Sequence, residues 1–96
     1  MDIFQETSKR LFLENPDIFA FSWTQYTPYS TFEFQINLDR IQICGGRNEN
    51  RNELHTKIKN FISLFGTDFL LDKFGDNARI IVQKDGIKII DFDEHD

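Results

Sequence analysis

The sequence predicts an α+β fold: an antiparallel sheet of four to five strands with helices packed on one face, in the order α-β-β-(β)-α-α-β-β. Three observations predict it. Between Asp17 and Leu38, Phe19, Phe21 and Trp23 alternate with Ala20, Ser22 and Thr24, and Phe32, Phe34 and Ile36 alternate with Glu33, Gln35 and Asn37. Alternation of this length marks strands with one buried face. Leu54, Ile58, Phe61, Ile62 and Phe65 recur at helical spacing, which marks an amphipathic helix. Asp85-Gly86 lies between two apolar runs, the strongest short signal for a hairpin.

The elements follow in order. Asp2 is placed to cap a first helix reaching Glu14, with Phe4, Ser8 and Leu11, and also Phe12 and Ile3, on its inner side. Asn15-Pro16 ends it, because a residue before proline avoids the helical region. The first strand spans Asp17 to Tyr26, with Phe19, Phe21 and Trp23 on one face, and Thr27-Pro28-Tyr29-Ser30 is a turn. The second strand starts near Thr31. Its alternation changes phase at Asn37–Arg40, since Phe32, Phe34 and Ile36 are even and Ile41 and Ile43 odd. Either a bulge shifts the phase within one strand, or a turn starts a third strand at Ile41. Asn and Asp at the break favour the turn.

Gly45-Gly46 ends that strand, and Asn50 with Glu53 has the spacing of a capping box for the main helix. Arg51, Lys57 and Lys59 fall on its outer side, Gly66 stops it, and a short helical piece follows from Phe69 to Phe74. The final hairpin joins residues 79–83 and 87–92 through Asp85-Gly86, with Val82 facing Ile89 and Ile81 facing Ile90. Apolar residues on both its faces place it inside a sheet.

Ninety-six residues without linker or repeat make one domain, 1–96. Eleven phenylalanines supply much of its core. No apolar run approaches the roughly 18 residues of a transmembrane helix. The start, MDIFQETSKR, has neither the basic region nor the apolar stretch of a secretory signal. The single cysteine, Cys44, has no internal partner, so the expected compartment is a reducing cytoplasm. A net charge of −5 disfavours nucleic acid, which needs a positive face. It suits solubility or a basic protein partner.

No catalytic, cofactor-binding or metal-ligating set can be assembled. Cys44 lacks a Cys-x-x-Cys partner and reads as a small buried or half-buried residue, with His55 across a loop as the nearest candidate base. His55 falls off the inner stripe of its helix and reads as solvent-facing. His95 lies among Asp93, Glu94 and Asp96, ligand types on a tail without preorganised geometry. Glu33 alternates with phenylalanines and faces outwards. Gly45-Gly46 matches no phosphate-loop pattern and reads as a turn.

Leu13 to Tyr29, LENPDIFAFSWTQYTPY, resembles a signature of small uncharacterised proteins from bacteria and their phages. These carry a WTQYTPY-type segment after a short N-terminal helix. In them the segment continues with Phe-Asn-Asp-Gly, whereas here Tyr29 is followed by Ser30-Thr31-Phe32. The resemblance covers under a fifth of the chain, implies a microbial or phage source and brings no activity. Physically, Trp23 fills the core, and Tyr26 and Tyr29 either clasp the turn or form an exposed anchor for a protein.

The expected function is therefore non-catalytic: a small acidic cytoplasmic binding module, such as an inhibitor, an immunity protein or a phage anti-defence protein, occupying a basic partner surface. Its candidate contacts are Tyr26, Tyr29, Asp85, Asp91, Asp93, Glu94 and Asp96. The alternative is a structural or accessory homo-oligomer, a homodimer for example, in which an exposed strand edge pairs with its twin.

Overall fold

The computed structural model describes residues 3–28, 30–46 and 51–91. Helix α1 (Ile3–Glu14) is followed by strands β1 (Ile18–Tyr26) and β2 (Gln35–Gly45). Helix α2 (Arg51–Phe74) then leads to β3 (Ala78–Gln83) and β4 (Gly86–Asp91). The four strands form one sheet in the order β2-β1-β3-β4, and every neighbouring pair is antiparallel.

In α1, Phe4, Ser8 and Phe12 are buried, one residue per turn along a single stripe. Leu11 is only half-buried and Ile3 is exposed. The stripe of α2 buries Leu54, Ile58, Phe61 and Ile62. Gly66 interrupts it with non-helical angles (φ 82°, ψ 164°), and the shorter second half returns Leu70 and Phe74 to the core. Both helices meet the face of β1 that carries Phe21 and Trp23. Phe4 lies 6.2 Å from Trp23 and 5.2 Å from both Phe61 and Phe74, Phe12 lies 5.7 Å from Phe21, and Phe74 lies 5.8 Å from Trp23. Ala78, Ile80 and Val82 of β3 complete this core.

Several local expectations are corrected. Phe19 does not share the face of Phe21 and Trp23. A bulge between Ile18 and Ala20 inserts it as an extra residue, so Ile18 turns inward and Phe19 is 64% exposed. Strand β2 starts at Gln35, later than Thr31. Phe32 lies in the preceding connection with φ 56°, its N–H donating to the Pro28 carbonyl at 2.9 Å. The phase change after Ile36 is a bulge within one strand, with no third strand starting at Ile41. Two steps along β1 from Ser22 to Thr24 face five along β2 from Gln42 to Asn37. The extra residues let Ile36 and Ile43 oppose Gln25 and Phe21, which both point inward. Arg51 is not simply an outer-face residue; it is half-buried, and its guanidinium donates to the carbonyls of Gly45 and Ile43. The expected caps Asp2 and Asn50 lie outside the described residues.

The last hairpin also differs. Its two-residue turn is Lys84-Asp85, so Gln83 pairs with Gly86, Val82 with Ile87 and Ile80 with Ile89. Asp85-Gly86 is not the turn, and neither Lys84 nor Asp85 has positive φ. Relative to expectation the pairing has slipped by two residues. Because side chains alternate with period two, such a slip leaves every residue on its face. Lys84 holds the observed turn, donating from Nζ to the Pro16 carbonyl at 2.8 Å and lying over the Phe19 ring. The hairpin is only half inside the sheet: β3 is central, whereas β4 is an edge with Ile89 and Ile90 about half exposed.

This geometry gives two glycines opposite sensitivities to substitution. Gly86 has no positive φ and open space where a Cβ would stand, so Gly86→Val should change stability by no more than about 0.5 kcal/mol. Gly45 has φ 88°, and a Cβ there would lie 2.3 Å from the Asp17 carbonyl oxygen. Gly45→Ala should therefore cost of the order of 2 kcal/mol. Urea titrations of both variants check the contrast; equal losses would contradict it.

Candidate functional site

The strand register brings the end of β1 against the start of β3 and the end of β4. Gln25 opposes Ala78, and Ala78 opposes Asp91. The last turn of α2 arrives at the same place. Gly75 takes a left-handed conformation (φ 88°) and its N–H donates to the Leu71 carbonyl at 2.8 Å. The chain then reverses into β3 through Asp76 and Asn77.

A buried amide locks these pieces together. Gln25 is fully buried and inward-facing. Its Oε1 accepts from the Trp23 indole N–H at 3.0 Å, and its Nε2 donates to the carbonyls of Leu70 at 2.9 Å and Gly75 at 2.7 Å. Buried amides need such partners, because an unpaired polar group away from water costs free energy. Within the WTQYTPY segment, Trp23 and Gln25 are therefore core, Pro28 is buried, and Tyr26 and Thr27 are half-buried.

At the surface above Gln25, the Thr27 hydroxyl donates to Asp76 Oδ2 at 2.8 Å, and Asp76 Oδ1 accepts from the Asn77 N–H at 2.8 Å. Asn77 Oδ1 is buried without a hydrogen-bond partner among the described residues. Tyr26 is the neighbouring strand residue, paired with Gln35. This end of the sheet thus presents Tyr26, Thr27, the Asp76 carboxylate and the end of β4.

Of the candidate contacts read from the sequence, the structure brings Tyr26 and the backbone of Asp91 to one end of the sheet. It does not bring Asp85 there. Asp85 lies in the turn at the opposite end of β4, roughly 17–20 Å away along a strand of this length. Tyr29, Asp93, Glu94 and Asp96 lie outside the described residues. Thr27, Asp76 and Asn77 were not legible as site residues. Asp76-Asn77 after Gly75 reads as a plain connection, and nothing local ties it to Thr27, 49 positions away.

The remaining polar candidates are dispersed. Cys44 is exposed, which corrects its reading as a buried or half-buried thiol; it opposes Ala20 on the face away from Phe21 and Trp23. His55 is half-buried on α2, and Glu33 is exposed in the loop before β2. The Gly46 N–H is committed to the Asp17 carbonyl at 2.8 Å, which ties the end of β2 to the start of β1. Among the described residues no three His, Cys, Asp or Glu side chains are grouped to hold a metal ion, and no helix is long and apolar enough to cross a membrane. Comparison of the chain with family models, with curated proteins and with solved structures gives no match.

Proposed function

We propose that this chain is a small, non-catalytic cytoplasmic module that works by occupying a basic surface of another protein. Inhibitors, immunity proteins and phage anti-defence proteins act in this way. The observation that carries the reading is the composition of one end of the sheet. Tyr26, the carboxylate of Asp76 and the end of β4 lie together there, and the acidic residues Asp93, Glu94 and Asp96 follow in the sequence. A tyrosine beside carboxylates offers an apolar body, a hydroxyl and negative charge, a set that complements lysine and arginine. The net charge of −5 favours attraction of a positive partner over distance. The resemblance of residues 13–29 to bacterial and phage proteins supports a microbial setting.

Co-purification from the native host supplies the partner for the test. Replacing Asp93 with Asn, Glu94 with Gln and Asp96 with Asn together should slow association by about 10-fold or more at low salt. Rising salt should slow the parent protein in the same way as the Debye length falls through roughly 8–10 Å. The melting temperature should stay nearly unchanged. An association rate indifferent to both salt and the triple substitution would refute the acidic contact. A second reading, a structural or accessory homo-oligomer of phage or bacterial origin, is favoured by the outer edge of β4, with which no other described strand pairs.

A further inference from the structure

We infer that β4 is a two-position strand: it slides by two residues along β3 into a second register whose turn is Asp85-Gly86, and Lys84 is the latch that holds the first register.

The turn of the first register is at odds with its own strands. Two-residue hairpin turns that match the twist of the flanking strands need positive φ at one or both central residues. Neither Lys84 nor Asp85 has it, so the turn belongs to the kind that splays the strands. One position further on, the central residues would be Asp85 and Gly86, a pair suited to the type I′ turn. Local chemistry therefore favours the second register, and something beyond the turn must favour the first.

The side chains of β4 tolerate the slide. Ile87, Ile89 and Ile90 repeat the same residue. In the first register Val82 opposes Ile87 and Ile81 opposes Lys88. In the second, Val82 opposes Ile89, so one isoleucine replaces another against the core face. Ile81 opposes Ile90, so an apolar pair replaces Ile81–Lys88 on the other face. Ile89 and Ile90 are 53% and 48% exposed in the first register, and both gain an apolar partner by sliding. β4 pairs with β3 alone among the described strands, so sliding breaks no second ladder between them.

The latch is the interaction that the turn itself does not supply. Lys84 Nζ donates to the Pro16 carbonyl at 2.8 Å and lies 5.5 Å from the centre of the Phe19 ring. In the second register Lys84 leaves the turn and becomes the closing strand residue opposite Ile87, so this anchor must open. Sliding carries β4 by about 7 Å and leaves Ala78 without its partner Asp91. Ala78 opposes Gln25 on its other side, beside Tyr26. The state of the latch at one end of the hairpin thus sets which strand residues stand at the other.

The test uses the full-length chain with Cys44→Ser and two cysteine pairs, compared under mild oxidation. Ile81→Cys with Lys88→Cys reads the first register, in which the two Cα atoms are opposed at about 5.5 Å, within disulfide reach. Ile81→Cys with Ile90→Cys reads the second. These positions are diagonal neighbours in the first register, about 7–8 Å apart and beyond that reach. A minor conformer commonly holds about 0.1–10% of molecules, so the second pair should bridge about 10- to 1,000-fold more slowly than the first. Adding Lys84→Ala should speed the second pair about 10-fold or more. Adding Gly86→Val to that variant should reverse the gain, because valine resists the positive φ that the Asp85-Gly86 turn requires. The urea midpoint should stay nearly the same with and without Gly86→Val, which separates sliding from unfolding. Failure of the second pair to bridge even with Lys84→Ala, or bridging that either substitution leaves unchanged, would overturn the second register.

Discussion

Trp23→Ala is expected to lower stability by about 3–5 kcal/mol, the usual loss for a large buried aromatic. Trp23 is 1% exposed and packs against a ring from each helix, Phe4 and Phe74, which also touch each other. Removing it leaves a cavity that Phe21, Phe4 and Phe74 cannot close together, since each is held by further rings. Small domains have roughly 5–15 kcal/mol in total, so the variant should be unfolded or close to it at physiological temperature. Circular dichroism during urea titration measures the loss. In the parent protein Trp23 should emit at short wavelength and shift to the red on unfolding. Native emission typical of free indole would contradict the burial of this side chain.

Gln25→Leu is expected to cost about 2–4 kcal/mol, even though leucine has a similar volume and greater hydrophobicity. The substitution deletes the acceptor for the Trp23 indole N–H and the donor for the Leu70 and Gly75 carbonyls. Each buried group left unpaired costs about 1–3 kcal/mol. A double-mutant cycle separates this loss from simple repacking. Trp23→Phe removes the N–H that Gln25→Leu would orphan. The double variant should therefore be more stable than the sum of the single losses predicts, by about 1 kcal/mol or more. Additive losses would show that the indole–amide bond contributes little. Because Gln25 ties β1 to the last turn of α2, Gln25→Leu should also loosen Asp76, and amide exchange at Asn77 should accelerate.

What was legible in the sequence is what repeats locally. The stripe of Phe4, Ser8 and Phe12, the stripe of Leu54, Ile58, Phe61 and Ile62, the break at Gly66 and the burial of Trp23 all follow from spacing, because a one-sided element records its buried face in its own period. The α+β class and the antiparallel sheet follow from those elements in order. Among the site residues, the position of Tyr26 at the end of a strand and of Asp85 in the last turn could be read in the same way.

Tertiary structure decided the rest. A bulge adds a residue without changing composition, so the sequence left Phe19 on the wrong face and β2 open between one strand and two. A two-residue slip keeps every face, so the pattern could not choose between Asp85-Gly86 and Lys84-Asp85; the anchoring of Lys84 to Pro16 and Phe19 did. The insertion of β3 beside β1, the bonds of Gln25 to Leu70 and Gly75, and the pairing of Thr27 with Asp76 join residues 45 to 50 positions apart or more. Such contacts leave no period in the chain, because the partner of each group is set by how the finished layers meet.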